Sequence, residues 1–391
     1  MVQRVRLPGR SYVSMPLRNV VRAGRRTVLT ALGVAAAITS LVAVLGLLDS
    51  FVVTGERNTA EVERMSPDRL TVTLDTFYPK DSRVVRDVVG TAGVGEVSTA
   101  LRLPLELSSQ HGRIDALVEV LDLDNPVWTP SIVDGDPARA ADGLLLSEKA
   151  AADLGVAPGD TVTARHPVVT QQGLQMTTSR IEVSGVHPNP MRAFSYLDTS
   201  QAAIFGLGSM TNLLTVVPEP GTSQDALVRS MFERPGVVAV EPASGFGKTL
   251  DDELGAFTGI LRIIEAATLL LALLIAFNTA SLTADERARE NATMFAFGLP
   301  PRVVLGISVA ENAVTGALGT LAGIGAGFLA LRYIVAGFDQ VAPDLSVEAT
   351  LSPASVATTL VLGILVVALA PLLGARRLRR MDIPATLRVV E

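Results

Sequence analysis

The chain has 391 residues, of which 48% are hydrophobic and 18% charged, with a formal net charge of −6 and no cysteine. Such a share of apolar residues beside so few charges points to a protein that is part membrane and part soluble domain. The missing thiols exclude disulfides, cysteine nucleophiles and cysteine-ligated metals.

The first 26 residues are rich in arginine, ending in Arg25 and Arg26, and they precede an uncharged apolar run, Thr27–Leu48. About 20 apolar residues suffice to cross a bilayer as a helix, so 27–48 is read as the first transmembrane helix, about 33 Å long. The order of basic and then apolar residues resembles a secretory signal, and Gly24-Arg25-Arg26-Thr27 faintly resembles a twin-arginine one. The run exceeds an h-region of about 7–15 residues and no small-x-small cleavage site follows it, so a retained anchor is expected.

Residues 49–258 are mostly polar and are read as an extracytoplasmic α+β domain with stalk helices at its two ends. Phe51, Val52, Val53, Val62 and Met65 continue the first helix outward with an amphipathic pattern, and Pro67 ends it. Arg69–Leu74 alternates with period two and is read as a strand, followed by a short helix over Ser82–Val89. Further strands are expected at Val94–Thr99, Ile114–Leu121, Thr161–Ala164, Ile181–Val186 and Leu213–Val217, and helices at Ser147–Leu154 and Ser223–Phe232. Pro137–Gly143 and the polar stretch Thr170–Arg180 are candidate lobe junctions or hairpin tips. A domain of this size can bury its own core in two lobes.

Three more apolar runs follow, giving transmembrane helices over 259–284, 303–331 and 354–373. Between them lie a cytoplasmic loop, 285–302, and an extracytoplasmic loop, 332–353, with a tail over 374–391. The predicted fold class is thus a membrane protein of four transmembrane α-helices, with the large α+β domain between helices 1 and 2. Arginines precede the first span, fill the 285–302 loop and crowd the tail, whereas Asp339, Asp344 and Glu348 mark the 332–353 loop. By the positive-inside rule both termini, 1–26 and 374–391, are cytoplasmic and the large domain faces outward. The basic ends set topology and meet membrane lipid headgroups, and no nucleic-acid partner is expected. Lysine is scarce beside arginine while Ala, Gly and Val are abundant, a bias that points to a high-GC bacterial genome.

No catalytic constellation stands out. Ser244-Gly245-Phe246-Gly247-Lys248-Thr249 ends like a phosphate-binding loop, but Pro242 occupies the place of the required first glycine, so a turn at the stalk base is expected. His111, His166 and His187 lack metal-ligand spacing. Neither a Gly-x-Ser-x-Gly elbow nor a paired acid and base is present, so no catalytic, cofactor or metal site is expected in this chain.

Glu311 falls about 12 Å into the third span. A charge there is costly, so it is expected to pack against protein, with a proton relay as the lesser alternative. Gly319, Gly323 and Gly327 recur at i, i+4 and i+8, a spacing that lets two membrane helices approach closely. In the cytoplasmic loop, Glu286, Arg287, Arg289 and Glu290 alternate in charge before Met294, Phe295, Phe297 and Gly298. The pattern reads as a short helix whose apolar end docks into a groove of a cytosolic partner. The plainer reading is a solvated, topology-setting loop.

With these residues in view the chain resembles the FtsX/MacB-like ABC transporter permeases. Leu17-Arg18-Asn19-Val20 through Arg26-Thr27-Val28 is similar to the family's approach to its first span. Asp142-Gly143-Leu144-Leu145-Leu146-Ser147-Glu148, with Gly155 and Pro158-Gly159-Asp160, resembles its outer-domain signature, followed as in the family by Ile181–Val186. Glu286-Arg287, Arg289-Glu290, Ala296 and Gly298 match its ATPase-contacting loop, and Ala375-Arg376-Arg377 with Asp382–Arg388 is similar to its tail. Two departures stand in the loop: Asn291-Ala292 where the family usually has Ile-Gly, and Phe295 where it has Arg.

The resemblance implies a permease subunit of the mechanotransmission type in the bacterial plasma membrane. It implies a cytosolic ABC ATPase that binds the ATP and Mg, and a second permease copy or paralogue. The client would be a lipid, lipoprotein, peptide or cell-wall component, and an extracytoplasmic lipoprotein or cell-wall enzyme is a further partner. The alternative is a membrane regulator or scaffold that controls a cell-wall hydrolase or signalling partner without moving a substrate.

Overall fold

The computed structural model describes residues 24–124, 127–170, 173–245, 255, 259–268, 270, 271, 274, 278, 294 and 299–373. It divides into two compact units: Phe51–Gly255 with Gly337–Glu348, and Met1–Ser50 with Ala256–Ala336 and Ala349–Glu391.

Helix α1 runs unbroken over Gly24–Glu63. It begins with the expected span, and its outer part carries the amphipathic extension. The chain leaves helical geometry before Pro67, with Ser66 at φ 42, a left-handed conformation that a non-glycine residue adopts mainly in turns.

Two lobes make up the outer unit. The first contains strand β1 (Leu70–Pro79), helix α2 (Arg83–Val89) and the start of strand β2 (Val94–Ser108). It is completed by strand β9 (Met210–Pro218), helix α4 (Gln224–Phe232) and strand β10 (Val237–Pro242). The four strands lie in the order β10-β1-β9-β2, every pair antiparallel. This is the split β-α-β arrangement of ferredoxin-like folds. Val85 and Val88 of α2, with Leu227 and Met231 of α4, pack on Leu70, Val72, Leu214 and Val216. Ser82 caps α2 by accepting a hydrogen bond from the Val85 N–H, as its sequence position predicts.

The second lobe is inserted between β2 and β9. It contains β3 (Arg113–Leu121), the two-residue β4 (Asp134–Gly135), β5 (Leu144–Ser147) and helix α3 (Glu148–Leu154). The long hairpin β6 (Thr161–Thr170) and β7 (Gly173–His187) and the short β8 (Phe194–Asp198) complete it. Hydrogen bonding runs β2-β3-β8-β5-β7-β6 and returns from β6 to β2, closing six strands into a ring. Leu103, Leu105, Leu107, Val118, Leu146, Val162, Val183 and Leu197 fill its core. α3 is capped by Ser147 at its start and by Gly155, in the left-handed region at φ 61, at its end.

Two sequence expectations change here. β2 continues past Thr99 to Ser108, because Leu101, Leu103, Leu105 and Leu107 alternate into the barrel; Pro104 is tolerated opposite Leu117. The polar stretch read as a lobe junction or a hairpin tip belongs to the end of a hairpin and is mostly strand: β7 pairs with β6 residue by residue from Thr170↔Gly173 to Thr161↔Glu182. Pro137–Asp142, the other candidate junction, forms a 3-10 turn.

In the other unit, helix α5 spans Pro301–Val341 and helix α6 spans Pro353–Leu373. Among the described residues, three helical stretches are long and apolar enough to cross a membrane: Thr27–Glu63, Arg302–Phe338 and Pro353–Leu372. Most of the expected second span, 259–284, lies outside the described residues; residues 259–268 are helical. Val34, Ile38, Leu41 and Val42 of α1 pack with Val367 of α6, backed by Ile324 of α5.

Candidate functional site

The outer end of α1 is tied to its lobe by a cluster of polar and aromatic groups around the buried Glu61 and Arg69. Glu61, in the last turn of the helix, is 7% exposed. Its carboxylate accepts hydrogen bonds from the Ser131 N–H (2.7 Å) and the Ser131 hydroxyl (2.5 Å). The Trp128 indole donates to the Glu61 carbonyl at 3.2 Å, and the Arg64 guanidinium bonds the Thr129 carbonyl. Ser131 and Trp128 lie on the connection between β3 and β4, so a single loop grips the helix end.

Arg69 completes the clamp. Its Nη1 donates to the carbonyls of Val62 (2.5 Å), Met65 (3.0 Å) and Ser66 (3.3 Å), the first of them among the end carbonyls that a helix terminus leaves without a helical partner. Its guanidinium lies 4.9 Å from the centre of the Trp128 ring, within cation–π range. Burial lowers the Arg69 guanidinium to about 10, against the opposing pull of Tyr196, Glu119 and Glu61. It therefore stays charged at neutral pH.

An aromatic row continues inward. Trp128 meets Tyr196 edge-on at 5.5 Å, and Tyr196 meets His187 at 4.9 Å. Burial pushes the Tyr196 phenol well above its ordinary range. His187 is held in place by its Nε2 facing the Phe194 carbonyl at 3.2 Å and its Nδ1 accepting from the Asn189 N–H at 3.3 Å. Burial lowers it to about 3, with the Phe194 bond opposing. A neutral, buried imidazole of this kind is structural.

The glycines of α5 lie against α1. A Cβ built on Gly319 would stand 2.7 Å from the Ala31 carbonyl oxygen and 2.8 Å from the Val34 Cβ. On Gly323 it would stand 2.6 Å from the Ile38 Cβ, and on Gly327 2.6 Å from the Val42 Cβ. The Thr39 hydroxyl donates to the Gly323 carbonyl at 3.3 Å. Glu311, on the same helix, is 3% exposed, and its carbonyl accepts from the Thr315 hydroxyl. Gly316 faces Val367, and Gly363 of α6 faces Thr320.

Of the sequence-predicted coupling residues, Glu286, Arg287, Arg289, Glu290, Phe295, Phe297 and Gly298 lie outside the described residues. Met294 is helical, and its carbonyl accepts from the Leu299 N–H at 3.1 Å. The phosphate-loop-like stretch falls mostly outside the description as well, beyond Gly245. His166 is buried, with Nε2 2.8 Å from the Ser179 hydroxyl, and His111 lies over Gly155. Among the described residues, no group of three or more His, Asp or Glu is placed to hold a metal.

The barrel lobe also carries a polar concavity of about 660 Å³. Ser108, Thr163 and Arg180 form one cross-strand row of its wall, with His111 and Asp160 at its rim. Such a lining suits a hydrated, polar ligand.

Residues 262–383 match the family described as FtsX-like permease C-terminal. Comparison with curated proteins found no match. Among solved structures, the periplasmic region of MacB from Actinobacillus actinomycetemcomitans is similar at 12% identity and TM-score 0.31, covering 49% of this chain and 97% of that one. The extracellular domain of the noncanonic ABC-type transporter YknZ from Gram-positive bacteria is similar at 15% identity and TM-score 0.29, covering 48% and 95%.

Proposed function

We propose that this chain, whose C-terminal third is an FtsX-like permease region, is an ABC permease subunit of the mechanotransmission type. In this reading a separate cytosolic ATPase binds ATP and Mg and docks on the 285–298 loop. A second permease copy or a paralogue completes the membrane part. Closure of the ATPase pair displaces the membrane helices, and the outer unit follows and acts on an extracytoplasmic client. Both termini and the docking loop are on the cytoplasmic side, as the arginine distribution requires.

The observation that carries this reading is the clamp at the end of α1. A helix that merely anchored a soluble domain would need only a flexible linker, whereas Glu61, Arg69 and Trp128 bind its last turn into the lobe. A lever needs such a joint, since a slack one would dissipate the stroke. The polar concavity favours a peptide, glycan or headgroup as the client part recognised there, over an acyl chain.

Met294→Asp and Phe295→Asp place a charge in the apolar end of the docking loop and are expected to abolish co-purification of the ATPase from detergent-solubilised membranes. Unchanged co-purification and ATP turnover would sink the coupling role. Stimulation of turnover by lipid or peptide separates transport from the regulator alternative, which predicts stimulation by a protein partner alone.

A further inference from the structure

Residues Gly337–Glu348, which follow and include the end of α5, belong to the outer unit. They are fastened to the connection between β7 and β8. The Arg192 N–H donates to the Asp344 carbonyl at 2.8 Å, and the Ser346 N–H donates to the Pro190 carbonyl at 2.7 Å. Met191 and Leu345 form an antiparallel bridge between them. The Arg192 guanidinium then closes over the contact, reaching Asp344 at 2.6 Å and, beneath it, Asp153 at the end of α3 at 3.4 Å. On its other side the segment meets the outer part of α1. Arg57 pairs with Glu348 at 2.8 Å, and the Phe51 and Phe338 rings lie edge-to-face at 5.4 Å.

We infer that this segment is a strap through which α5 pulls on the barrel lobe directly, and that Arg192 is the positioning residue that keeps it seated. The inference rests on the mechanotransmission reading and adds to it a grip separate from the clamp on α1. The two grips sit on different loops of the same lobe, 127–131 and 188–193, joined through the aromatic row of half-buried Trp128 and buried Tyr196 and His187. A side chain that only decorated the surface would not bind two carboxylates from separate elements together with two flanking main-chain bonds. Arg192 is 21% exposed, so its charge-assisted bonds are partly shielded from water.

The chain has no cysteine, so a Met191→Cys/Leu345→Cys pair can be oxidised without competition. Antiparallel bridge partners stand about 4.5–5.5 Å apart at Cα, within disulfide range. The full-length chain in native membranes is expected to crosslink efficiently, as read by mass spectrometry of the joined peptides. Arg192→Ala should lower the yield several-fold, Arg192→Lys should restore much of it, and the exposed Asp344→Ala serves where Arg192→Ala fails to fold. No crosslink, or a yield indifferent to both Arg192→Ala and Asp344→Ala, overturns the strap.

With the co-purified ATPase, the oxidised pair should keep its basal ATP turnover, because a strap moves with the lobe. Arg192→Ala should raise that turnover several-fold by releasing α5 from its load. Loss of turnover on crosslinking, or turnover unchanged by Arg192→Ala, overturns the mechanical role. Failure of any ATPase to co-purify counts against the permease reading and leaves the crosslink yields to decide the strap.

Discussion

Glu61 and Ser131 are 70 residues apart in sequence, yet one carboxylate receives both the N–H and the hydroxyl of that serine. The pair converts the end of a membrane helix into part of a folded domain. Glu61→Ala would leave the half-buried Ser131 N–H without its acceptor, at a cost of up to about 1–3 kcal/mol. The chain contains one tryptophan, and Trp128 bonds the Glu61 carbonyl. Its emission is therefore a local reporter. A red shift and a lower urea midpoint are expected for Glu61→Ala; an unchanged spectrum would show that the helix end is held by something else.

Arg69 should be less replaceable than its formal charge suggests. Arg69→Lys keeps the charge but loses the planar guanidinium that lies beside Trp128 while bonding three carbonyls at the helix end. Hydrogen bonds to charged groups contribute about 1.5–3 kcal/mol, so Arg69→Lys is expected to lower the Trp128-monitored urea midpoint clearly, and Arg69→Ala further. Equal midpoints for Arg69→Lys and the wild type would contradict the geometry.

For the glycine seam the expected effect depends on position. Gly323→Val would drive its side chain into Ile38 and the Ala35 carbonyl, and overpacking of this kind costs about 1–3 kcal/mol. Gly325 on the same helix has nothing within 4 Å of a built Cβ, so Gly325→Ala should be neutral or slightly stabilising. Thermal unfolding in detergent distinguishes them. Equal losses at both positions would refute a close approach of α1 and α5 along this face.

His187 gives the outer unit an acid sensitivity of predictable sign. An unfolded histidine titrates near 6.5, whereas burial lowers His187 to about 3 in the fold. Between these values the unfolded chain binds a proton that the folded one does not. Its contribution is thus full above pH 6.5 and is lost as the pH falls, by about 2 kcal/mol between pH 7 and pH 5. Urea midpoints across that range should fall less steeply in His187→Gln than in the wild type. Parallel pH profiles would mean that the imidazole is protonated in the fold.

Much of this architecture is legible in the sequence. Long apolar runs mark α1, α5 and α6, and Ser147 with Gly155 brackets α3. The period-two alternation of β1 and β3 reports their half-buried faces. The ring of six strands is not legible, because its closure depends on β6 pairing with β2 and β7 at once, a property of registers rather than of any one segment. Read from sequence, β2 stops at Thr99, and its continuation to Ser108 shows only through its partner strands, with Pro104 paired opposite Leu117.

The clamp is hidden for a different reason. Glu61, Arg69, Trp128 and Ser131 are each unremarkable alone, and their meaning comes from meeting. The one available signal is Arg69 placed just after the Ser66-Pro67 helix stop, where a cation can serve the orphan carbonyls. The strap is similarly disguised. Asp344 and Glu348 read as topology-setting acids, and only their positions opposite Arg192 and Arg57 give them a structural task.

Strand β2 pairs with β9 up to Ala100 and with β3 from Leu101 onward. One uninterrupted backbone is thereby spliced into both sheets and acts as a splint across the junction of the lobes. The two lobes therefore share one strand at this junction rather than a flexible linker. A short glycine insertion between Ala100 and Leu101 would break that splint while leaving each lobe its own core, turning a stiff arm into a jointed one.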